Sequence, residues 1–346
     1  MLTKKQISEI RNFLESSQNP LFFFDNDADG LCSFLILRRY LGRGKGFPVK
    51  STPMSVDYFR KVKEFEPDCI FFLDQPEVSL EFFEEIQKLN LPVVMIDHHD
   101  VDRKKIPKFV NYYNPIFNKK KLSEPTTFLC HQIFKDQKDE WLAITGCISD
   151  RFIPNFYKNF LKNYSDLAVK SNDAFEIYYS SSIGKIAQIL SAGLKNTTTN
   201  VISMMKFLIN VKTPYDILVE CNENSFFYKR FEEINKKYMD LINKTKSCEI
   251  FGKVFYFKYS GEMSMSADLA NRLSYLNPDK IIVVAYVKGE NVNLSIRGKN
   301  VKKKIVKILL ETNGASGGGH IDAVGAKMSL SSLEDFVKKI KEEFND

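Results

Sequence analysis

Three short apolar runs in the first hundred residues each stop on an aspartate. "PLFFF" (20–24) leads into Asp25, "CIFFL" (69–73) into Asp74, and "LPVVMI" (91–96) into Asp97. Helical stretches lie between them, one from about Ser33 to Leu41 and one in "SLEFFEEIQKL" (79–89). Strands alternating with helices in this way predict βαβ units and a mainly parallel sheet. Ligands of such sheets bind at the carboxyl ends of the strands, which is where these aspartates fall. "WLAITGCISD" (141–150) has the same tone and is compatible with a strand or a helix.

Further along the pattern changes twice. Residues 171–246 are mostly helical and close on "FFYKRFEEINKKYMDLINKTK", a charged amphipathic helix. After Cys248 come "EIFGKVFYFKYS", a helix around Ala267–Leu276 and the hairpin-like "KIIVVAYVKGENVNLSIRG". The expected architecture is therefore two α/β domains joined by a helical segment, with boundaries at 1–190, 191–246 and 247–346. The 346 residues, 44% hydrophobic and 27% charged, suffice for two cores. Apolar runs of five to seven residues are too short to span a bilayer, and the first 18 residues read as an amphipathic helix, not a signal peptide. Six scattered cysteines with no CxxC pair fit reduced thiols and a cytoplasmic location. A net charge of +7 leans toward polyanionic partners without deciding the matter.

The acidic stretch "DNDADG" (25–30) sets three carboxylates on alternating positions, with Gly30 expected to end the element that carries them. Unpaired, these charges repel one another, and a hard divalent cation both offsets the repulsion and takes oxygen ligands. Asp74, the "IDHHD" segment (96–100) and Asp150 in "GCISD" add further carboxylates and imidazoles on separate loops. The set suffices for two ions sharing a bridging aspartate, an arrangement suited to phosphoester hydrolysis. Taken alone, Asp25 is as consistent with a helix cap, and the acidic stretch with a calcium loop.

Together, "DNDADG", "FLDQ", "IDHHD" and "CISD" resemble, in order and spacing, the four motifs of the DHH phosphoesterase family. "SIRG" (295–298) and "GASGGGH" (314–320) resemble the DHH-associated C-terminal domain of its RecJ-like members. The resemblance implies that Asp25, Asp27, Asp29, Asp74, His98 and Asp150 are metal ligands, with Asp29 or Asp74 bridging. It implies that His99 faces the scissile phosphate and that Asp97 orients the histidine pair. Phe23, Phe24 and Asp25 stand where many members have a histidine, as in the all-aspartate RecJ branch. Two divalent ions are implied, Mn2+ ahead of Mg2+. His131, on a helical face in "FLCHQIF", reads as structural, and Phe22 to Phe24 read as core.

In the second domain, Gly317, Gly318 and Gly319 before His320 let backbone N–H groups approach a phosphate. Arg297 suits a bidentate phosphate contact, and "RGKNVKKKIVK" holds six basic residues in eleven, among them Lys302 and Lys303. The expected activity is that of a RecJ-like exonuclease on single-stranded DNA or RNA, in replication, repair or RNA turnover. Hydrolysis of short oligonucleotides or cyclic dinucleotides is the second reading. A structural role beside protein partners in a replication or repair assembly is the third, disfavoured because the ligand set is complete.

Overall fold

In the computed structural model, which describes residues 1–248 and 250–344, the apolar runs become adjacent strands of one sheet. Strands β1 (Pro20–Asp25), β2 (Lys45–Val49), β3 (Cys69–Leu73), β4 (Val93–Ile96) and β5 (Val110–Tyr113) are all parallel, in the order β2-β1-β3-β4-β5. The three central strands are buried on both faces, which is why their runs are apolar at consecutive positions. Alternate side chains divide between two cores. Phe22, Phe24, Phe71 and Ile96 pack with Phe34, Trp141 and Ile144, while Phe23, Phe72 and Met95 pack with Phe82, Phe83 and Ile86. A phenylalanine removed from such a site costs about 3–5 kcal/mol.

Register aligns the acidic ends. Phe24 pairs with Leu73 and Leu73 with Ile96, so Asp25, Asp74 and Asp97 leave the sheet side by side. The Asp74 amide donates to Ile96 O and the Asp97 amide to Tyr113 O, extending the ladder by one residue.

Helices α1 (Lys4–Ser16), α2 (Ala28–Leu41), α3 (Phe59–Phe65), α4 (Leu80–Gln87), α5 (Thr126–Phe134) and α6 (Glu140–Ser149) belong with this sheet, so "WLAITGCIS" is helical. Helix α2 starts five residues before the expected Ser33, and Gly30 lies in its first turn, not at the end of an element. The cause is local. Asp27 Oδ1 accepts the Gly30 amide at 2.9 Å and caps the helix, and a Cβ at Gly30 would sit 2.4 Å from Asp25 O. Only glycine lets the helix begin this close to the strand end.

Helices α7 (Tyr157–Asn163), α8 (Ala174–Ser180), α9 (Ser182–Leu194), α10 (Thr198–Asn210), α11 (Tyr215–Leu218) and α12 (Ser225–Thr245) lie between the two sheets in sequence. The chain divides into compact units 1–231 and 232–346, so residues 191–231 of the expected connector fall in the first unit. There Leu194, Val201, Met204, Leu208 and Phe227 join the core that contains Trp141.

The second unit is a six-stranded mixed sheet, ordered β10-β11-β9-β8-β7-β6. Its strands are β6 (Ile250–Phe251), β7 (Val254–Ser260), β8 (Ile281–Lys288), β9 (Asn291–Arg297), β10 (Ser316–His320) and β11 (Ala323–Ser329). Helix α13 (Ser266–Leu276) connects the parallel pair β7–β8, and β8–β9 is the expected antiparallel hairpin. Ile305 and Ile308 of α14 (Lys302–Leu310) and Phe336 and Ile340 of α15 (Leu330–Glu343) close its core. No helix among the described residues is long and apolar enough to cross a membrane. Cys32, Cys69, Cys130 and Cys147 are buried, and no disulfide links any of the six cysteines.

Candidate metal centre

At the carboxyl edge of the first sheet, three groups of side chains bring ligand atoms within 4.8 Å of one another. They are Asp25–Asp27–Asp74, Asp29–His98–Asp150 and Asp74–His98–His99. Each member arrives by a separate device: Asp25 ends β1, Asp27 caps α2, Asp29 lies in the first turn of α2, and Asp150 ends α6. Asp74 follows β3 with φ 58°, a left-handed conformation that costs an L-residue energy and is held by the ladder bond to Ile96. Asp74 and His98 are each shared by two of the groups.

Two of the carboxylates are clamped from behind by one segment. The first two amides of α5, those of Thr126 and Thr127, donate to Asp29 Oδ2 and Oδ1 at 2.9 and 2.8 Å. Thr126 Oγ1 donates to Asp74 Oδ1 at 3.0 Å, and Thr127 Oγ1 to the Asp29 carbonyl at 2.7 Å. Asp29 thus satisfies the otherwise unpaired N–H groups at a helix start, where its negative charge is also favoured.

The two histidines are held differently. His98 Nε2 lies 3.3 Å from Asp74 Oδ1, 3.6 Å from Asp150 Oδ2 and 4.0 Å from Asp29 Oδ2. Asp97, expected to orient the pair, is hydrogen-bonded to His99, whose Nδ1 donates to Asp97 Oδ1 at 2.8 Å. The other oxygen of Asp97 accepts Tyr112 Oη at 3.0 Å, and Asn114 Nδ2 donates to Tyr112 Oη and to the His99 carbonyl. His98 is met on its far side by Ser123, whose Oγ is 3.1 Å from Nδ1.

The crowding of charge is severe. Burial, then the charge of Asp74, push Asp25 up to about 7. Burial and the charges of Asp74 and Asp150 hold Asp29 well above the usual carboxylate range. Asp74 is held low despite its burial, because His98 hydrogen-bonds it and both imidazoles lie close. The same contacts drive His98 upward against its burial, and the bond to Asp97 raises His99 to about 9. A cluster that can keep its charges only by taking up protons is one that a divalent cation fits. Around an octahedral ion with bonds of about 2.1 Å, ligand atoms stand roughly 3–4.2 Å apart, close to the spacing here. Hard oxygen donors with one or two imidazoles suit Mn2+ or Mg2+ and disfavour soft metals.

His131 is buried with its ring against Phe156 at 4.6 Å, and burial pulls its pKa down, consistent with packing. Phe22, Phe23 and Phe24 are fully buried.

The other expected residues belong to the second unit. Arg297 ends β9, its Nε donating to Asn271 Oδ1 at 2.7 Å. Lys302 and Lys303 open helix α14. The glycine run forms β10, an exposed edge strand paired with β11. A Cβ at Gly317 would lie 2.4 Å from Gly325 O and one at Gly319 2.2 Å from Ala323 O, so close pairing alone requires glycine at both. Gly318 has open space, and His320 is exposed. A cavity of about 370 Å³ is lined by Ser264, Ser266, Ser295, Ser316, Gly317 and Lys327, among others.

Sequence reasoning missed Tyr112, Asn114, Ser123, Thr126 and Thr127. The "SEPTT" run (123–127) carries the hydroxyl-and-proline signature of a helix start, which locates α5 but not what its first turn faces.

Residues 21–147 match the N-terminal domain of the DHH family, and residues 251–346 match the DHHA1 domain. No curated protein matches in sequence. Among solved structures, RecJ in complex with Mn2+ from Thermus thermophilus matches with a TM-score of 0.68 at 14% identity, over 98% of this chain and 54% of that one. This chain therefore spans about half the length of that RecJ. CDC45 from Entamoeba histolytica matches at 0.58 and 12% identity, over 99% of both chains. PggH from Vibrio cholerae, a pGpG-specific phosphodiesterase, matches at 0.53 and 13% identity, over 95% of this chain and 99% of that one. Identities this low speak for fold alone, and the two domain matches carry the assignment: the chain belongs to the DHH family, a DHH domain followed by a DHHA1 domain in a RecJ-like fold.

Proposed function

We propose that the chain is a metal-dependent phosphodiesterase that removes nucleotides from the ends of single-stranded DNA or RNA. The observation that supports this reading is that Asp74 shares one ligand group with Asp25 and Asp27 and lies 3.3 Å from His98, which shares another with Asp29 and Asp150. Asp25, Asp27 and Asp74 would hold one ion, and Asp29, His98 and Asp150 a second, with Asp74 shared. When bound, a pair of Mn2+ or Mg2+ ions lowers the pKa of coordinated water and offsets charge on the transferring phosphate. His99, its Nδ1 proton held by Asp97, would offer Nε2–H to a phosphate oxygen. Tyr112 and Asn114 keep that pair from rotating.

The DHHA1 domain supplies the grip. Lys302 and Lys303 share the first turn of α14 with the positive end of its dipole, an arrangement of like signs that a phosphate relieves. Arg297, Gly317 to Gly319 and His320 add donors for neighbouring phosphates.

Short oligonucleotides or dinucleotides are the second class of substrate, favoured by the cavity of about 370 Å³, which lies at the small end of ligand pockets. End-labelled DNA and RNA strands of graded length, incubated with Mn2+ and resolved by size, separate the two. Stepwise shortening of long strands supports the exonuclease. Hydrolysis confined to strands of two to about five nucleotides supports the second class, and no hydrolysis with any substrate overturns both.

A further inference from the structure

The segment immediately before helix α5 touches the site through a group that no motif assigns. Ser123 Oγ donates to the His98 carbonyl at 2.9 Å and stands 3.1 Å from His98 Nδ1. A hydroxyl has one proton and two lone pairs. With its proton committed to the carbonyl, Ser123 can meet Nδ1 only by accepting, so Nδ1 carries the hydrogen. In the metal-free chain Nε2 carries a hydrogen toward Asp74. A cation held by Asp74, Asp150 and Asp29 would displace that hydrogen, and with Nδ1–H kept on Ser123 the lone pair would lie on Nε2. Three residues later, Thr126 Oγ1 makes the matching contact to Asp74 Oδ1 at 3.0 Å. The strand ends bring the ligands together, and the hydroxyls of this one segment set the rotation of two of them.

We propose that Ser123 is a positioning residue that selects the Nδ1–H tautomer of His98, so that Nε2 is presented to a divalent cation, and that Thr126 does the same for the carboxylate of Asp74. The inference rests on the metal-dependent reading above but concerns ion binding, which can be measured without any turnover. Partners of this kind behind a ligand are worth about 10–100-fold in metal affinity. Ser123 is exposed and lies outside any helix or strand, so its replacement leaves the fold intact, whereas Thr126 is fully buried and is best replaced by its isostere valine.

The test is a calorimetric titration of the chelator-treated full chain and its variants with Mn2+. Ser123→Ala is expected to weaken one Mn2+ site by about 10–100-fold, and Ser123→Thr to restore it. Thr126→Val is expected to weaken Mn2+ binding similarly, and Thr126→Ser, which keeps the hydroxyl on Asp74, to restore it. Unchanged affinity in Ser123→Ala, with the parent chain binding Mn2+, overturns the positioning role alone. A parent chain that binds no Mn2+ overturns both this role and the metal-dependent reading. Equal loss in Ser123→Ala and Ser123→Thr shows that the loop, not the hydroxyl, matters, and also overturns it.

Discussion

Asp74 Oδ1 lies 3.3 Å from His98 Nε2. The contact joins the end of β3 to the end of β4, and Asp74 reaches it from a left-handed backbone conformation. Neither residue is exposed by more than a few per cent, so a charge on either needs a partner. In the metal-free chain they partner each other.

That relationship makes Asp74 the most sensitive position. Asp74→Ala is expected to lower hydrolysis by at least about 10²–10³-fold, since on the two-ion reading both ions would lose a ligand. Mn2+ titration should show both sites weakened. Full activity in this variant sinks the two-ion reading.

The histidines should separate. His98→Ala is expected to lower the occupancy of one ion, while His99→Ala lowers the rate and leaves occupancy largely intact. Elemental analysis of the two variants decides it, and equal metal loss in both reverses the assignment of His99 to the phosphate.

Stability without metal should depend on pH in a defined sense. Asp25 is raised from 3.8 to about 7 and His99 from 6.5 to about 9, so between those limits the folded chain holds protons that the unfolded chain releases. Stability therefore falls as pH rises from about 4 to 9. Saturating Mn2+ should abolish or reverse the fall, because the ligands must shed protons to bind it. Thermal melts in chelator and in Mn2+ across that range test the sign. A metal-free chain that grows more stable with rising pH contradicts it.

Gly30 is a stability position as well as a site position. Gly30→Ala places a Cβ 2.4 Å from Asp25 O, backbone that cannot step aside. Overpacking of this kind costs about 1–3 kcal/mol and should displace Asp25, so denaturation and Mn2+ titration should both register the change. A variant as stable as its parent argues that the strand end can yield.

Grip and chemistry should come apart in the second unit. Arg297→Ala is expected to weaken oligonucleotide binding by roughly ten- to hundredfold, the worth of a charge-assisted contact. Neutralising Lys302 and Lys303 should flatten the salt dependence of binding, since fewer counterions are released. Mn2+ titration should be unaffected in either variant. Loss of the ions in Arg297→Ala would falsify the division of labour.

Much of this is legible in the sequence itself. Apolar runs that end on aspartate point to parallel strands with Asp25, Asp74 and Asp97 at their carboxyl ends, because burial on both faces follows from the local pattern. The register that sets those ends side by side is a tertiary pairing. The start of α2 was legible only in part. Asp27 is an ordinary cap residue, but the reason the helix begins there is the 2.4 Å gap between Gly30 and Asp25 O, a tertiary distance. The glycine run likewise admits a turn or a strand, and pairing with β11 decided for the strand. Tertiary structure alone decided how the charges are shared. Asp97 serves His99, Ser123 serves His98, and the start of α5 clamps Asp29 from 97 residues away. No periodicity encodes such pairings. They arise where packing carries one segment's unpaired N–H and O–H groups to another segment's charges, and buried polar groups take whichever partners the fold brings within reach.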